Sequence, residues 1–200
     1  MTLQFLGRLA GVLALTVGLA GCIDVTMDVN VKSETEGKVT TTSTMGADFY
    51  AMAKASASGE NASKEDGFCQ EAGSQLTENA DGSATCVLTV EGKFADLGVA
   101  DDNSASFTVV SPGVVRVAFK TEDMKGELGT EGQDEETKKM METFFEGHAI
   151  TIRISGREVI DTNMTLAGDK TSAETVIPFL DLINGTVELP AELYAVVKTN

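Results

Sequence analysis

A strictly alternating stretch near the N-terminus most constrains the fold of this chain. Over residues 23–32, apolar and polar side chains alternate without a break. Successive side chains of a β-strand point to opposite faces, so a period of two predicts a strand with one buried face. Residues 33–37 supply a turn, and the Thr-rich segment 38–45 alternates more weakly. The sequence therefore predicts a β-hairpin over residues 23–45.

The residues before this hairpin have the organisation of an export signal. A short start with one basic residue, Arg8, leads into an apolar run that ends Leu19-Ala20-Gly21-Cys22. The run is shorter than the roughly 20 residues of a spanning helix. A secretory signal needs only about 7–15 apolar residues. The ending resembles the bacterial lipobox, which implies cleavage between Gly21 and Cys22.

The same resemblance implies that Cys22 carries a diacylglyceryl group and further acylation, of the palmitate type. We interpret residues 1–21 as a lipoprotein signal peptide and residues 22–200 as a single lipid-anchored, extracytoplasmic domain. An ordinary signal peptide with a chance cysteine, or an uncleaved anchor, is the alternative. Two or three acyl chains would give firm anchoring, whereas one chain binds a membrane only marginally.

The position of the lipidation site predicts where the domain lies. The first strand begins directly after Cys22, so no flexible linker separates the domain from the bilayer surface. Ile23 follows the cysteine where an Asp, by resemblance to sorted lipoproteins of Gram-negative bacteria, would retain the protein at the inner membrane. We therefore expect the cell envelope, and the periplasmic face of the outer membrane if the source is Gram-negative.

The charge of the chain restricts its partners. The sequence has 15 basic and 31 acidic residues, for a net charge of −16. A surface this acidic repels nucleic acid and anionic headgroups, so no nucleic-acid partner is expected. Membrane attachment must then come from acyl chains rather than from a basic patch. The acidic stretch over residues 122–136 could bind Ca²⁺, but it lacks the pattern of known loops and is more typical of a solvated loop.

Two cysteines remain once Cys22 is lipidated. In an oxidising compartment an even pair predicts a disulfide, here between Cys69 and Cys86. The loop closed is about 17 residues, which corresponds to roughly 3 kcal/mol in the chain-entropy model. A metal or redox pair is the alternative, but there is no C-x-x-C spacing and the one histidine, His148, is distant in the sequence.

Turn signals and apolar periodicity predict an α+β domain, an antiparallel β-sheet with two short helices packed on one face. The helices are expected over residues 47–58 and 134–146, the second beginning at the N-cap Asp134 and ending at Gly147. Phe94 and Leu97 are expected to fill the core, and residues 181–185 to form a turn. Further strands are predicted at residues 75–78, 84–91, 106–111, 114–120, 148–155, 158–166, 173–179 and 186–197.

The order of these features resembles the LppM-like lipoprotein domain family of bacterial envelopes. The likeness consists of the lipobox cysteine, the alternating hairpin with its acidic turn, the Phe/Met helix, and later Glu158-Val159-Ile160-Asp161-Thr162-Asn163 followed by a Gly-Asp turn and an apolar strand. It covers most of the chain after Cys22. The resemblance implies an α+β envelope domain that binds lipid or glycolipid, and it brings no catalytic residues.

Side chains that could carry function are few. His148 could act as an acid or base, but it starts a strand and has no matching nucleophile motif, and neither G-x-S-x-G nor H-E-x-x-H occurs. We expect no enzyme activity, cofactor or metal, with an envelope hydrolase as a remote alternative. The apolar face of the second helix is either a lipid-binding surface or, more simply, core packing. That possible ligand face consists of Met140, Met141, Phe144 and Phe145.

The function predicted from sequence is therefore a membrane-anchored lipoprotein that binds a lipid or another hydrophobic ligand near the membrane. A structural or assembly lipoprotein that recruits an envelope protein through a sheet edge is the alternative. The partners expected are the membrane, through the lipid anchor, and either a lipid ligand or an envelope protein.

Overall fold

The computed structural model describes residues 23–57, 68–99, 105–121 and 135–199. Cys22 and the whole predicted signal peptide, with Gly21 at its end, lie outside the described residues, as do residues 122–134 with the predicted N-cap Asp134. Within the described part, the chain forms eleven strands and three α-helices, and the α+β class is confirmed.

Most of the predicted elements are found close to their expected bounds. The helices are α1 (Ala47–Ala57), α2 (Glu135–Phe145) and α3 (Phe179–Ile183), and a 3₁₀ turn spans Phe94–Asp96. The strands are β1 (Ile23–Val31), β2 (Glu36–Met45), β3 (Gln75–Glu78), β4 (Ala84–Lys93), β5 (Ala105–Ser111), β6 (Val114–Lys120), β7 (Ala149–Ser155), β8 (Glu158–Thr162), β9 (Thr165–Leu166), β10 (Ser172–Pro178) and β11 (Glu192–Lys198).

The strands form two sheets rather than the one that the sequence predicted. The large sheet has the order β3-β4-β2-β1-β7-β10-β9, and the small sheet has the order β5-β6-β11-β8. All neighbours are antiparallel except β1 and β7, which run parallel. This pair joins strands far apart in the sequence, and such a pairing leaves no local turn signal. The predicted hairpin of β1 and β2 is confirmed, with Val29 opposite Val39.

The main core lies between the two sheets. Alternate residues of β1 and β7 face inward, so Val29, Val31 and Ile154 are fully buried. They pack in one cluster with Val115, Val117, Ala195 and Val197 from the small sheet. Leu97 is buried in this cluster as predicted, and Phe94 packs against it while stacking on Phe107, with ring centroids 4.3 Å apart.

One end of the large sheet carries all three helices. The strand register aligns Ile23 with Met45, Met45 with Ala84, and Ala149 with Pro178. We call these five residues the helical rim. Helix α1 begins two residues after Met45, α2 ends four residues before Ala149, and α3 begins directly after Pro178. The opposite end, which we call the far end, is formed by the β1–β2 turn.

Three details of the second half differ from the sequence prediction. Residues 179–183 form helix α3 instead of leading into a turn, because Phe179, Leu182 and Ile183 recur at helical spacing and all three are buried. The strand predicted over residues 158–166 is broken: β8 joins the small sheet, and only β9 pairs with β10. The last strand starts at Glu192, after Pro190.

Candidate functional site

The described structure begins at the helical rim with Ile23. Ile23, the residue after the predicted lipidation site, is only 4% exposed. Its side chain belongs to a cluster with Met45, Tyr50, Ala53 and Ala84. The first described residue is therefore fixed in a core cluster at the helical rim.

Helix α1 lies on this rim through one face. Tyr50 and Ala53, three positions apart, are buried there. The Tyr50 hydroxyl donates a hydrogen bond to Glu78 Oε1 at 2.7 Å, and Lys54 Nζ donates to the same oxygen at 2.6 Å. These bonds, first that from Lys54 and then that from Tyr50, lower the pKa of the Glu78 carboxyl. The helix is thereby tied to the end of β3.

The predicted disulfide is present and fixes the segment that follows α1. The Cys69 and Cys86 sulfurs are 2.00 Å apart, and their Cα atoms are separated by 5.4 Å. Phe68, next to the disulfide, meets the Tyr50 ring edge-on, with centroids 6.2 Å apart. The disulfide therefore holds this segment against β4 and brings Phe68 against α1.

The predicted ligand face of α2 is brought together with the other two helices. Phe145 is 2% exposed and packs on Phe179 of α3, with ring centroids 4.9 Å apart. Phe144 meets Phe49 of α1 edge-to-face at 5.1 Å. Met141 is partly buried in the cluster of Phe145, Phe179 and Ile183. The Met140 side chain lies outside the described part of the structure.

His148 links the two parallel strands. Its Nδ1 lies 3.1 Å from Asp24 Oδ2, and Asp24 Oδ1 accepts the Ala149 backbone N–H at 3.0 Å. One carboxylate thus holds the start of β7 beside the start of β1. The geometry gives His148 a structural contact at the helical rim.

The outer face of the large sheet is polar and slightly hollow. An open concavity of about 440 Å³ lies across β1, β2 and β7. Ser155 donates to Asp28 Oδ1 at 2.9 Å and accepts from Asn30 at 3.1 Å. Arg153 donates to Glu174, and this hydrogen bond raises the pKa of its guanidinium. The lining residues are Thr26, Asp28, Asn30, Lys38, Thr40, Thr42, Arg153 and Ser155.

This polar network was not predicted as a unit. The alternation in β1 indicates an outward polar face, but it does not reveal that β7 supplies the neighbouring Arg153 and Ser155. Within the network Arg153 pairs with Asp28 and Glu174. Polar and charged side chains on this side are typical of the solvated face of a sheet whose other face is covered.

The described residues show neither a metal-binding cluster nor a membrane-spanning helix. In this part of the chain, no three His, Cys, Asp or Glu side chains converge as metal ligands would. None of the described helices has the length and apolar character needed to cross a bilayer.

Comparisons with known proteins give one structural likeness. No protein-family model matches the chain, and no curated protein matches it. The chain is similar to the NMR structure of the folded domain of the Mycobacterium tuberculosis LppM protein, with a TM-score of 0.46 and 10% identity over 90% of this chain and 92% of that one. A score below 0.5 does not establish a common fold, so membership of the LppM-like family stays a prediction.

Proposed function

We propose that this chain is a lipid-anchored, non-enzymatic protein of the bacterial cell envelope whose helical end binds a lipid or another hydrophobic ligand at the membrane surface. The anchor is Cys22, acylated after cleavage behind Gly21. The outer membrane, on its periplasmic side, is the site if the source has two membranes.

The observation that carries this proposal is the convergence of the helices on the rim where β1 begins. The anchor would join a buried residue, Ile23, so the rim must lie within a few residues' reach of the bilayer. The Met/Phe face of α2 and the aromatic residues of α1 and α3 then lie at the membrane end of the domain. Apolar groups gathered there are well placed to receive an acyl chain.

The contacts among the helices suggest how a ligand would enter. Phe49 and Phe144 touch edge-to-face and are each only half-buried, and Met141 and Leu180 are likewise partly exposed. Methionine side chains adapt readily to a new neighbour. An acyl chain could therefore intercalate beside the Phe49–Phe144 contact by displacing side chains rather than backbone.

The anchor is tested by replacing Cys22. The wild-type chain, expressed with its signal in a bacterium, is expected in the membrane fraction with an N-terminal peptide that begins at Cys22 and carries the mass of its acyl groups. The Cys22→Ala variant is expected as an unprocessed precursor without acyl mass. An unchanged mature size and unchanged membrane fractionation of Cys22→Ala would overturn the anchor.

The ligand is tested by extracting lipid from the purified lipidated chain. Mass spectrometry is expected to find a lipid in stoichiometric amount besides the covalent acyl groups. Met141→Ala and Phe144→Ala should reduce this amount. The control Val110→Ala should not, because it lies on the β5–β6 hairpin, whose Gly113 N–H contacts Glu34 of the β1–β2 turn at the far end. A wild-type chain without bound lipid, or equal amounts in all four proteins, would contradict the ligand proposal.

A second candidate function rests on an exposed sheet edge. Strand β5 is an edge of the small sheet, and Val109 and Val110 are 48% and 51% exposed beside a register shift. Open edges of this kind can pair with a strand of another protein. An assembly role predicts that crosslinking in membranes captures one stoichiometric envelope protein and that Val110→Lys abolishes the capture. No such partner, or capture unaffected by Val110→Lys, would contradict it.

A further inference from the structure

The outward face of α1 is unusual for a helix at a protein surface. Surface helices normally carry polar residues opposite their buried stripe. Helix α1 (Ala47–Ala57) has eleven residues. Its polar or charged side chains are those of Asp48, Lys54 and Ser56, together with the amphipathic Tyr50. Helix α2, of equal length, has five charged residues in its sequence.

The exposed apolar positions of α1 lie on the side away from the core. Tyr50 and Ala53 are buried, whereas Ala51, Met52 and Ala55 are exposed, and Met52 is 56% exposed. Residues three or four positions apart share a helix face, which groups Ala51 with Ala55 and also places the exposed Asp48 beside Ala51 and Met52. Met52 lies on the turn between them. We call Ala51, Met52 and Ala55 the outer face of α1.

This outer face is positioned by what lies under the helix. The buried side of α1 covers Ile23, Met45 and Ala84, three of the five residues of the helical rim. A helix with its side chains is about 10 Å thick, so the outer face projects roughly that far beyond the rim. Cys22, the proposed anchor, directly precedes Ile23 in the sequence. The anchor is therefore too short to hold the rim far from the bilayer.

The charges around α1 exclude an anionic partner. Asp48 lies in the first turn, and Lys54 is bound to Glu78. The whole chain has a net charge of −16. A nucleic acid or an anionic protein surface would be repelled. An interface of zwitterionic lipid, in contrast, rewards the burial of apolar side chains without demanding basic ones.

We propose that the outer face of α1 is a membrane-contact surface that inserts Met52 into the interface of a zwitterionic bilayer beside the acylated cysteine. The proposal rests on the proposed anchor and names the face that meets the membrane. The tether keeps this face at high local concentration near the lipid, so a small apolar area is enough to fix the orientation of the domain.

The absence of tryptophan from the sequence makes a direct test possible, since one introduced Trp is the sole Trp reporter. The lipidated full chain with Met52→Trp is placed on phosphatidylcholine vesicles whose acyl chains are brominated, which quench Trp on contact. The matched control is Val110→Trp, a similarly exposed position on the β5–β6 hairpin, whose Gly113 contacts Glu34 at the far end. Met52→Trp should lose most of its fluorescence, and Val110→Trp should keep nearly all of it.

The outcomes separate this inference from the anchor. Vesicle flotation of both variants shows whether the anchor holds, and failure to float would contradict the proposed function. If both float and Met52→Trp is quenched no more than Val110→Trp, the membrane-contact surface is overturned while the anchor stands. A blue-shifted, unquenched Met52→Trp would mean that a second copy or another protein covers α1, which also overturns it. Ala55→Trp is the second reporter and should behave as Met52→Trp does.

Discussion

The two ends of the large sheet are covered in different ways. At the far end the small sheet packs on β1 and β7, and Val31 and Ile154 are fully buried. At the helical rim three short helices take the place of a second sheet, where Met45 and Phe145 are buried and Val25 and Phe49 are only partly buried. The same strands thus pass from one large core between two sheets into two smaller clusters under the helices. We therefore expect truncation of a buried side chain to cost more stability in the core between the sheets than truncation of a partly buried one at the helical end.

The largest expected effect comes from truncating a side chain in the main core between the two sheets. Ile154→Ala should lower the free energy of unfolding by about 2–5 kcal/mol, because the cavity lies between two sheets that cannot collapse around it. The matched change at the helical end, Met141→Ala, should cost clearly less because Met141 is partly exposed. Urea denaturation of both variants measures the difference. A cost for Met141→Ala equal to that for Ile154→Ala would erase the distinction between the two ends.

The disulfide is the strongest constraint near the helical end. The double variant Cys69→Ser, Cys86→Ser should lose about 3 kcal/mol of stability in the chain-entropy model. Because the disulfide links β4 to the segment after α1, amide exchange should accelerate in α1 and β3 more than in β6 or β11. Equal acceleration in all four elements would show that the two ends unfold as one unit.

A smaller effect is expected at the contact between the parallel strands. Asp24→Ala removes the acceptor of the Ala149 N–H and the partner of His148, and one such hydrogen bond is worth about 1 kcal/mol. Asp24→Asn keeps an oxygen for the N–H and should recover part of the loss. Thermal unfolding of the two variants gives the comparison. Identical stabilities of Asp24→Ala and wild type would mean that this carboxylate does not hold the strands together.

The smallest effect is a pH dependence at Glu78. Its pKa is lowered in the folded chain, so its contribution is present above the unfolded value of about 4.3 and is lost as the pH falls through the lowered folded value. Wild type should therefore lose slightly more stability than Glu78→Gln on acidification below about pH 4.3. Both carboxyl and ammonium are well exposed, so the difference should be small. An equal loss of stability in wild type and Glu78→Gln on acidification would contradict a stabilising contact between α1 and β3 through Glu78.

Local patterns predicted much of this fold from sequence. The alternation over residues 23–32 predicted the β1–β2 hairpin, and turn signals predicted further strands. Gly82 and Gly113, which lie in two of the turns between strands, have a positive φ. The pairing of Cys69 with Cys86 followed from parity and compartment. Each of these inferences depends on residues that are neighbours in the chain or on a simple count.

The features that sequence did not predict all join distant segments. The parallel pairing of β1 with β7, the separation of a second sheet and the capture of β8 by that sheet leave no local pattern. A Cβ at Gly156 would lie 2.3 Å from Val197 Cγ1, so close packing against β11 requires glycine there. Helix α3 was not predicted because its five residues span little more than one turn, too short a stretch for helical spacing to be distinguished from a turn.

The candidate site shows the same division. The apolar residues of α2 were predicted, but not that Phe144 meets Phe49 or that Phe145 meets Phe179, since these contacts depend on where the three helices converge. The outer face of α1 was not predicted either. Composition indicates an apolar helix, but only the packing of Tyr50 and Ala53 on the rim shows which of its residues stay exposed.

The most direct test of the account is photocrosslinking of the unmodified lipidated chain in bilayers that contain phosphatidylcholine with a diazirine in its acyl chain. After illumination and digestion, mass spectrometry locates the peptides that carry lipid. Lipid crosslinks are expected in α1, with further ones in α2 and α3, and none in the β5–β6 hairpin. Crosslinks concentrated in that hairpin, or spread equally over both ends, would contradict the placement of the helical end at the membrane.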